Sequence, residues 1–352
     1  MKANKDTLII LSPGFSAEEA DSTCLTAQQS LLLALNKLMP NLQIIIIAFP
    51  HSFTNKIHSW HANQVISCNG KRRGIIFSLF KWLKIWQTLS QLRKENRITG
   101  FLSFGLGEWA LMGSYFSRLH HYKHFTWLSA EDTLKKNNYV KCIPLSANSL
   151  IGMTDLICHN FFVTHGIKPS HVITQAIDPE IYPKMPTQKD IDILGVGSFV
   201  PLNQYTIFIE IIAQLHKQIP NLSVMLCGEG PEKENLEKLI NQSGLKDIVT
   251  LTGERTCHET LQFMQRSKIL LHTADHESMG NVCVEALYAG AHVISFYTPM
   301  NAWIRHWHIV ATKKEMLQEI LHLLALDKLD HTPVLPYAIK DSARSIVQLF
   351  TD

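Results

Sequence analysis

The sequence predicts an α/β protein of two doubly wound parallel sheets, and three observations carry that expectation. Short apolar runs rich in Ile, Val and Leu alternate with longer stretches in which apolar residues recur at helical spacing. The alternation comes as two successive series, and both opening strands end at glycine-containing turns. The chain has 352 residues, which at about 150 residues per domain makes about two domains. Strands separated by helices imply a parallel sheet covered on both faces, and two series imply two such domains with a cleft between them.

The first series opens with a strand at 7–11 that runs into Ser12-Pro13-Gly14. A helix at 27–39 follows, stopped by Pro40, and then a strand at 44–49. Residues 77–92 read as a helix, 100–104 as a strand before Gly105-Leu106-Gly107, and 154–164 as a helix. Further strands are expected at 124–128, 141–144, 149–152 and 171–174. Asp178-Pro179-Glu180-Ile181-Tyr182-Pro183 marks an exit. The second series runs strand 192–196, helix 205–218, strand 222–226, helix 232–242, strand 249–252, helix 257–265, strand 269–272, helix 282–288 and strand 292–295. A last helix is expected at 342–350, with Arg344 facing solvent. These boundaries divide the chain into domains at 1–187 and 188–335, followed by a terminal segment at 336–352.

Composition narrows the function classes. With 46% hydrophobic residues and only 17 Gly and 14 Pro, the chain is neither disordered nor collagen-like. A net charge of +3 over this length argues against a nucleic-acid binder. The charge is uneven, +8 over residues 1–187 and −5 over 188–352, as an anionic partner of the first half or ordinary variation between domains would give. Seven cysteines without a C-x-x-C pair read as reduced thiols, and no H-E-x-x-H or similar spacing points to a metal. No stretch reaches 18 apolar residues and the first apolar run is too brief for a signal peptide, so a cytoplasmic protein is expected.

In doubly wound sheets ligands sit beyond the carboxyl ends of strands, and the chemistry-bearing residues cluster in those loops. The densest cluster is Asp275 to Gly290, in which Glu277 and Glu285 bracket seven residues that include Gly280. If a helix starts near Gly280, the free amides of Met279, Gly280, Asn281 and Val282 and the positive end of the helix dipole suit a phosphate. Carboxylates on either side suit vicinal hydroxyls, and a solvated helix start would show the same residues. In the first half, Asp132 follows the strand at 124–128, either as a reactive acid or, with Thr133, as a helix cap.

The E-x7-E pattern with its central Gly and following E-A-L-x-x-G resembles the donor signature of retaining GT-B glycosyltransferases of family 4, the group 1 glycosyl transferases. Leu226-Cys227-Gly228-Glu229-Gly230-Pro231-Glu232, with Leu236, Gly244-Leu245, Val249 and Gly253, matches the preceding run of that family in order and spacing. The resemblance implies two Rossmann-like domains, with a C-terminal helix at 336–352 crossing back to the first. It also implies a nucleotide-sugar donor, UDP- or GDP-linked, no metal or other cofactor, and a glycan or lipid-linked acceptor in polysaccharide biosynthesis. It assigns Glu285 to ribose hydroxyls, Glu277 to the transferred sugar, and the amides of Met279 to Val282 to sugar and diphosphate. Gly14 would open the cleft, Gly228 a turn near the nucleoside, and Gly253, Glu254 and Arg255 the base contact. Asp132 would stand beside the reacting acceptor.

The match breaks after the strand at 192–196. Where the family carries an arginine and a lysine for the diphosphate, this chain has Ser198 and Asn203. Two charge-assisted bonds of about 1.5–3 kcal/mol each are therefore missing unless another cation, Arg255 or Arg305, replaces them. A catalytically silent binding subunit is the alternative. Lys71-Arg72-Arg73, Lys81, Lys84, Arg93, Lys94 and Arg97 interleave with Phe77, Phe80, Trp82 and Trp86. That pattern fits a helix against a membrane surface, or a helix with one core face.

Overall fold

The computed structural model describes residues 5–15, 27–49, 57–67, 75–174, 176–182, 188–274, 281–297 and 300–351, and side chains within these except at 27 and 75–81. The chain divides into two compact units, Met1–Gln175 with Ile339–Asp352, and Ala176–Ala338. The division falls ahead of the expected 187. Residues 176–182 belong with the second unit, where Ile177 bridges to Ala338 and the Tyr182 hydroxyl donates to the Glu285 carbonyl oxygen at 3.2 Å.

The first unit contains β1 (Asp6–Ser12), α1 (Ala27–Leu38), β2 (Gln43–Ala48), β3 (Ile57–Trp60), β4 (Asn63–Ser67), α2 (Ile75–Glu95), β5 (Arg97–Phe104), α3 (Glu108–Leu119), β6 (His124–Leu128), α4 (Tyr139–Cys142), β7 (Leu150–Gly152), α5 (Asp155–His165) and β8 (His171–Val172). Among the described residues its sheet has the order β3-β4-β2-β1-β5-β6-β7-β8, parallel except for the β3–β4 hairpin. Leu8 to Leu11 run beside Ile44 to Ile47, all at most 2% exposed. Burial on both sheet faces explains why these strands read as unbroken apolar runs. The final helix α11 (Ile339–Thr351) returns to this unit. It packs on α1, Ser342 Oγ donates to the Thr174 carbonyl, and the Phe350 ring meets Phe125 edge-on and lies over Gly100.

The second unit contains β9 (Ile191–Val196), α6 (Tyr205–His216), β10 (Val224–Cys227), α7 (Lys233–Gln242), β11 (Val249–Gly253), α8 (Cys257–Arg266), β12 (Ser267–His272), α9 (Asn281–Tyr288), β13 (His292–Ser295), β14 (Trp307–Ile309) and α10 (Lys313–Leu324). Its sheet is wholly parallel among the described residues, in the order β11-β10-β9-β12-β13-β14. One side of the sheet packs Phe208, Ile212 and Leu215 of α6 against Ile320 and Leu323 of α10; the other packs Leu261 of α8 against Leu287 of α9.

Some elements depart from expectation. Residues 141–144 form no strand: α4 makes a single turn and only Ile143 of that run is buried. Pro144 has no N–H to give a ladder. The β3–β4 hairpin escaped notice because its inward face carries His58 and Asn63 beside Trp60 and Val65, which breaks the apolar alternation. Helices α3 and α10 and strand β14 were also not anticipated. In α10, Met316, Ile320 and Leu323 form a buried stripe behind an N-cap at Thr312.

Both sheets have a switch point, between β1 and β5 and between β9 and β12, where successive crossovers leave in opposite directions. Loops beyond the carboxyl ends of those strand pairs are where doubly wound sheets hold ligands.

Candidate functional site

At the β9/β12 switch point the loops are laced together by short polar contacts. Asn203 Nδ2 donates to the Ser198 carbonyl at 2.7 Å, and the Thr273 hydroxyl donates to the Asn203 carbonyl at 2.7 Å. The turn after β10 is pressed onto the turn after β9. Gly228 has φ +153°, and a Cβ there would stand 1.9 Å from the Gly197 carbonyl oxygen. Only glycine fits, and here the reason is backbone against backbone. Gly228 N donates to the Gly253 carbonyl at 3.1 Å, so the loop after β11 joins the same surface.

Helix α9 starts at Asn281, and Asn281 and Val282, both half-buried, stand at its amino end. One turn further, burial pushes the Glu285 carboxyl up to about 7. Glu277, Met279 and Gly280 lie outside the described residues, so Asn281, Val282 and Glu285 are the part of the E-x7-E cluster the structure places. Tyr182 holds this helix from behind: its hydroxyl takes the Glu285 carbonyl and its ring meets Tyr288 edge-on at 4.7 Å. Nothing in the sequence pattern singled out that tyrosine.

The cations near these loops are already engaged. Arg255 donates from Nε to the Thr252 carbonyl at 3.0 Å and pairs with Glu259 at 3.6 Å. Lys233 pairs with Glu229 at 2.6 Å. Arg305 is held by Asp330, beside His306 at the start of β14. Neither proposed substitute, Arg255 or Arg305, stands free to replace the cations missing at Ser198 and Asn203.

In the first unit, the β1/β5 switch point opens into a pocket of about 680 Å³ lined by Pro13, Phe104, Gly105, Trp109, Asp132 and Asn137, among others. Gly14 follows Pro13, its carbonyl accepting from Ser12 Oγ at 2.6 Å. Asp132 is 3% exposed and fully committed. Its Oδ1 accepts from Leu106 N at 2.7 Å and Asn137 Nδ2 at 3.3 Å, and its Oδ2 accepts from Ser129 N at 2.7 Å and Ser129 Oγ at 3.0 Å. Burial pushes the carboxyl up to about 6 against the downward pull of those bonds. The structure thus makes Asp132 the peg that holds the loops after β5 and β6 around the pocket. Trp109, whose indole N–H donates to the Phe104 and Gly105 carbonyls, and Tyr139 were not foreseen. The spacing of Trp109, Met112 and Phe116 would have disclosed α3 and, with it, Trp109.

The tryptophans of α2 face the core. Trp82 Nε1 donates to Glu108 Oε1 at 2.5 Å, and Trp86 meets Phe116 edge-on at 5.1 Å. The exposed residues of this helix whose side chains are described are Leu83, Lys84, Gln87, Gln91, Arg93, Lys94 and Glu95. Lys71, Arg72 and Arg73 lie outside the described residues, as do the side chains of Phe77, Phe80 and Lys81. No helix among the described residues is long and apolar enough to cross a membrane, and no group of three or more His, Cys, Asp or Glu among them is placed to hold a metal ion.

Residues 179–331 match the family model of the group 1 glycosyl transferases. The second unit is thus similar to the group 1 glycosyl transferases over nearly all of its length. Among curated relatives, the lipopolysaccharide core biosynthesis glycosyltransferase LpsD of Rhizobium meliloti is 31% identical over 112 residues, covering 32% of this chain and 31% of that protein. LpsE of the same organism is 28% identical over 121 residues, covering 34% of each. The chain therefore spans about a third of the length of these relatives. Among solved structures, Anabaena HepE in complex with UDP-glucose superposes with a TM-score of 0.66 at 16% identity, over 98% of this chain and 97% of that one. The lipopolysaccharide outer core galactosyltransferase WaaB gives 0.64 at 13% identity over 98% and 97%. The fold is that of the GT-B glycosyltransferases, with two parallel-sheet Rossmann-like domains.

Proposed function

We propose that the protein is a glycosyltransferase that moves a sugar from a nucleotide-sugar donor to a glycan or lipid-linked acceptor in cell-surface polysaccharide assembly. Glu285 carries the reading: a half-buried carboxyl one turn into the helix that follows the β9/β12 switch point, inside the stretch that matches the group 1 glycosyl transferases. Carboxylate oxygens accept paired bonds from adjacent hydroxyls, and Glu285 takes the ribose of a UDP- or GDP-linked donor. The amides at the start of α9, Asn281 and Val282 with Met279 and Gly280 before them, face the diphosphate. Negative charge develops there as the sugar departs, so preorganised N–H groups stabilise the transition state more than the ground state. Glu277 orients the sugar, which leaves with retention of configuration. The acceptor occupies the pocket that Asp132 frames, where Trp109 and Tyr139 offer ring faces and Asn137 an amide. The names of LpsD, LpsE and WaaB as lipopolysaccharide core glycosyltransferases support an acceptor of that class.

Titration of the purified chain with UDP and GDP by calorimetry, beside Glu285→Ala, tests the donor site. One of the two nucleotides is expected to bind, and the variant to lose about tenfold or more, equivalent to one charge-assisted bond. Equal binding by wild type and variant removes Glu285 from the site. A second reading is favoured by the engaged state of Arg255 and Arg305 and by the Asn203 amide turned onto Ser198. It makes the chain a silent glycosyltransferase-like subunit. Nucleotide binding without turnover or donor hydrolysis, across UDP- and GDP-sugars, selects that reading.

A further inference from the structure

A second pocket in the first unit lies at the other end of its sheet. It has a volume of about 330 Å³, at the lower end of the range for small-molecule sites. Its lining includes His124, the first residue of β6, and Ser149, the residue before β7, so it opens at the amino ends of these strands. The pocket framed by Asp132 lies beyond their carboxyl ends.

Helix α3 supplies one wall through Ser114, Ser117 and Arg118, spaced three and four residues apart so that they share a face. Ser117 is 1% exposed and its hydroxyl has no hydrogen-bond partner. A buried hydroxyl left unpaired is destabilising, and such atoms in folded proteins usually meet a water, an ion or a ligand. Arg118 lines the same space and forms no ion pair among the described residues. Thr126, 2% exposed, adds a hydroxyl from the sheet. His124 hydrogen-bonds Ser103 Oγ through Nε2 at 2.8 Å, and burial pushes its ring down to about 4, which keeps it neutral. The facing wall, Ile143 and Pro144, is apolar. No carboxylate lines the pocket.

We propose that this pocket binds a phosphomonoester of monosaccharide size, with Arg118 on the phosphoryl group and the hydroxyls of Ser114, Ser117 and Thr126 on the remaining oxygens. A guanidinium fork matches two phosphoryl oxygens, and hydroxyls can donate to the third or accept from a sugar. The only formal charge in the lining is positive, and the apolar wall suits the carbon face of a ring. The volume exceeds what an inorganic ion fills. The site is independent of the donor and acceptor assignments above.

Calorimetric titration of the full chain with glucose 6-phosphate, inorganic phosphate and glucose tests it, with Arg118→Gln and Ser117→Ala in parallel. Glucose 6-phosphate is expected to bind about tenfold more tightly than inorganic phosphate, and glucose not measurably, with Arg118→Gln weakening the sugar phosphate by about tenfold or more. Ser117→Ala is expected to weaken it several-fold while raising the melting temperature of the ligand-free chain, since an unpaired hydroxyl is removed. That rise separates loss of a ligand contact from loss of fold. No binding of glucose 6-phosphate at about 20 mM, equal affinity for inorganic phosphate, or wild-type affinity in either variant overturns the proposal.

Discussion

Asp132→Asn separates the structural role of this acid from a catalytic one by the pH at which it acts. Raising a carboxyl from 3.8 to about 6 corresponds to about 3 kcal/mol at about 1.4 kcal/mol per pH unit. The folded chain holds this proton more tightly than the unfolded one. The contribution is therefore fully present below about pH 4 and is lost as pH rises through about 6. Asparagine cannot ionise, so that dependence disappears. Its amide nitrogen must face either Leu106 N or Ser129 N, both of which now donate at 2.7 Å. One buried N–H is left unpaired, at a cost of about 1–3 kcal/mol. The variant is expected to be the less stable protein at pH 4.5, and the gap to close or reverse by pH 7.5. Urea unfolding followed by tryptophan fluorescence suits the question, because five of the seven tryptophans lie in the first unit. A gap that stays constant across this range would refute the burial argument. A variant that is fully folded and inert at every pH would instead return Asp132 to the role of a reacting group.

Three further outcomes follow from the geometry. Glu285→Gln should stabilise the chain at pH 8 and change it little at pH 4.5, because burial raises this carboxyl from 4.5 to about 7 and the wild type loses stability as pH rises across that interval; urea midpoints at the two pH values decide it. Gly228→Ala should leave little folded protein, since its Cβ would meet the Gly197 carbonyl at 1.9 Å and neither backbone can yield. A soluble variant with wild-type circular dichroism and melting temperature would show that the two turns are not pressed together. Gly100→Ala should loosen α11, because its Cβ would stand 2.4 Å from the Phe350 ring. Adding Phe350→Ala should recover part of that loss, measured as hydrogen-exchange protection of residues 339–351, and strict additivity of the two changes would place the ring elsewhere.

What the sequence made legible was governed by burial. Strands β1, β2, β9 and β12 are largely covered on both faces, so their central residues, Leu8 to Leu11, Ile44 to Ile47, Ile193 and Leu194, and Ile269 to Leu271, are apolar and the run is unmistakable. Where a strand is short or its inward side chains are polar, as in β3 and β4 with His58 and Asn63, the same physics leaves no trace in the pattern. The run at 141–144 shows the converse error. Lys141 to Pro144 has the composition of a short strand, yet only Ile143 finds a core, and Pro144 closes off the ladder. Periodicity reports a face to be buried, and it does not report whether a neighbouring strand is there to bury it.

Site residues divide along a different line. Gly228 was singled out for a ligand, and the structure gives it a sufficient reason without one: two turns touch, and no side chain fits between them. Asp132 likewise has both oxygens occupied by its own loops. Glu285 is the opposite case. It is half-buried and burial raises its carboxyl to about 7, so the fold disfavours the charged form there. A residue whose position the backbone explains says little about function, whereas one that burdens the fold calls for a partner from outside it. By that criterion Glu285 in the second unit and Ser117 in the first are positions where a ligand would complete the structural account. The other acid of the motif, Glu277, can be weighed in the same way only against a bound donor, and a nucleotide that protects α9 from hydrogen exchange in the wild type but not in Glu285→Gln would join the two halves of that site.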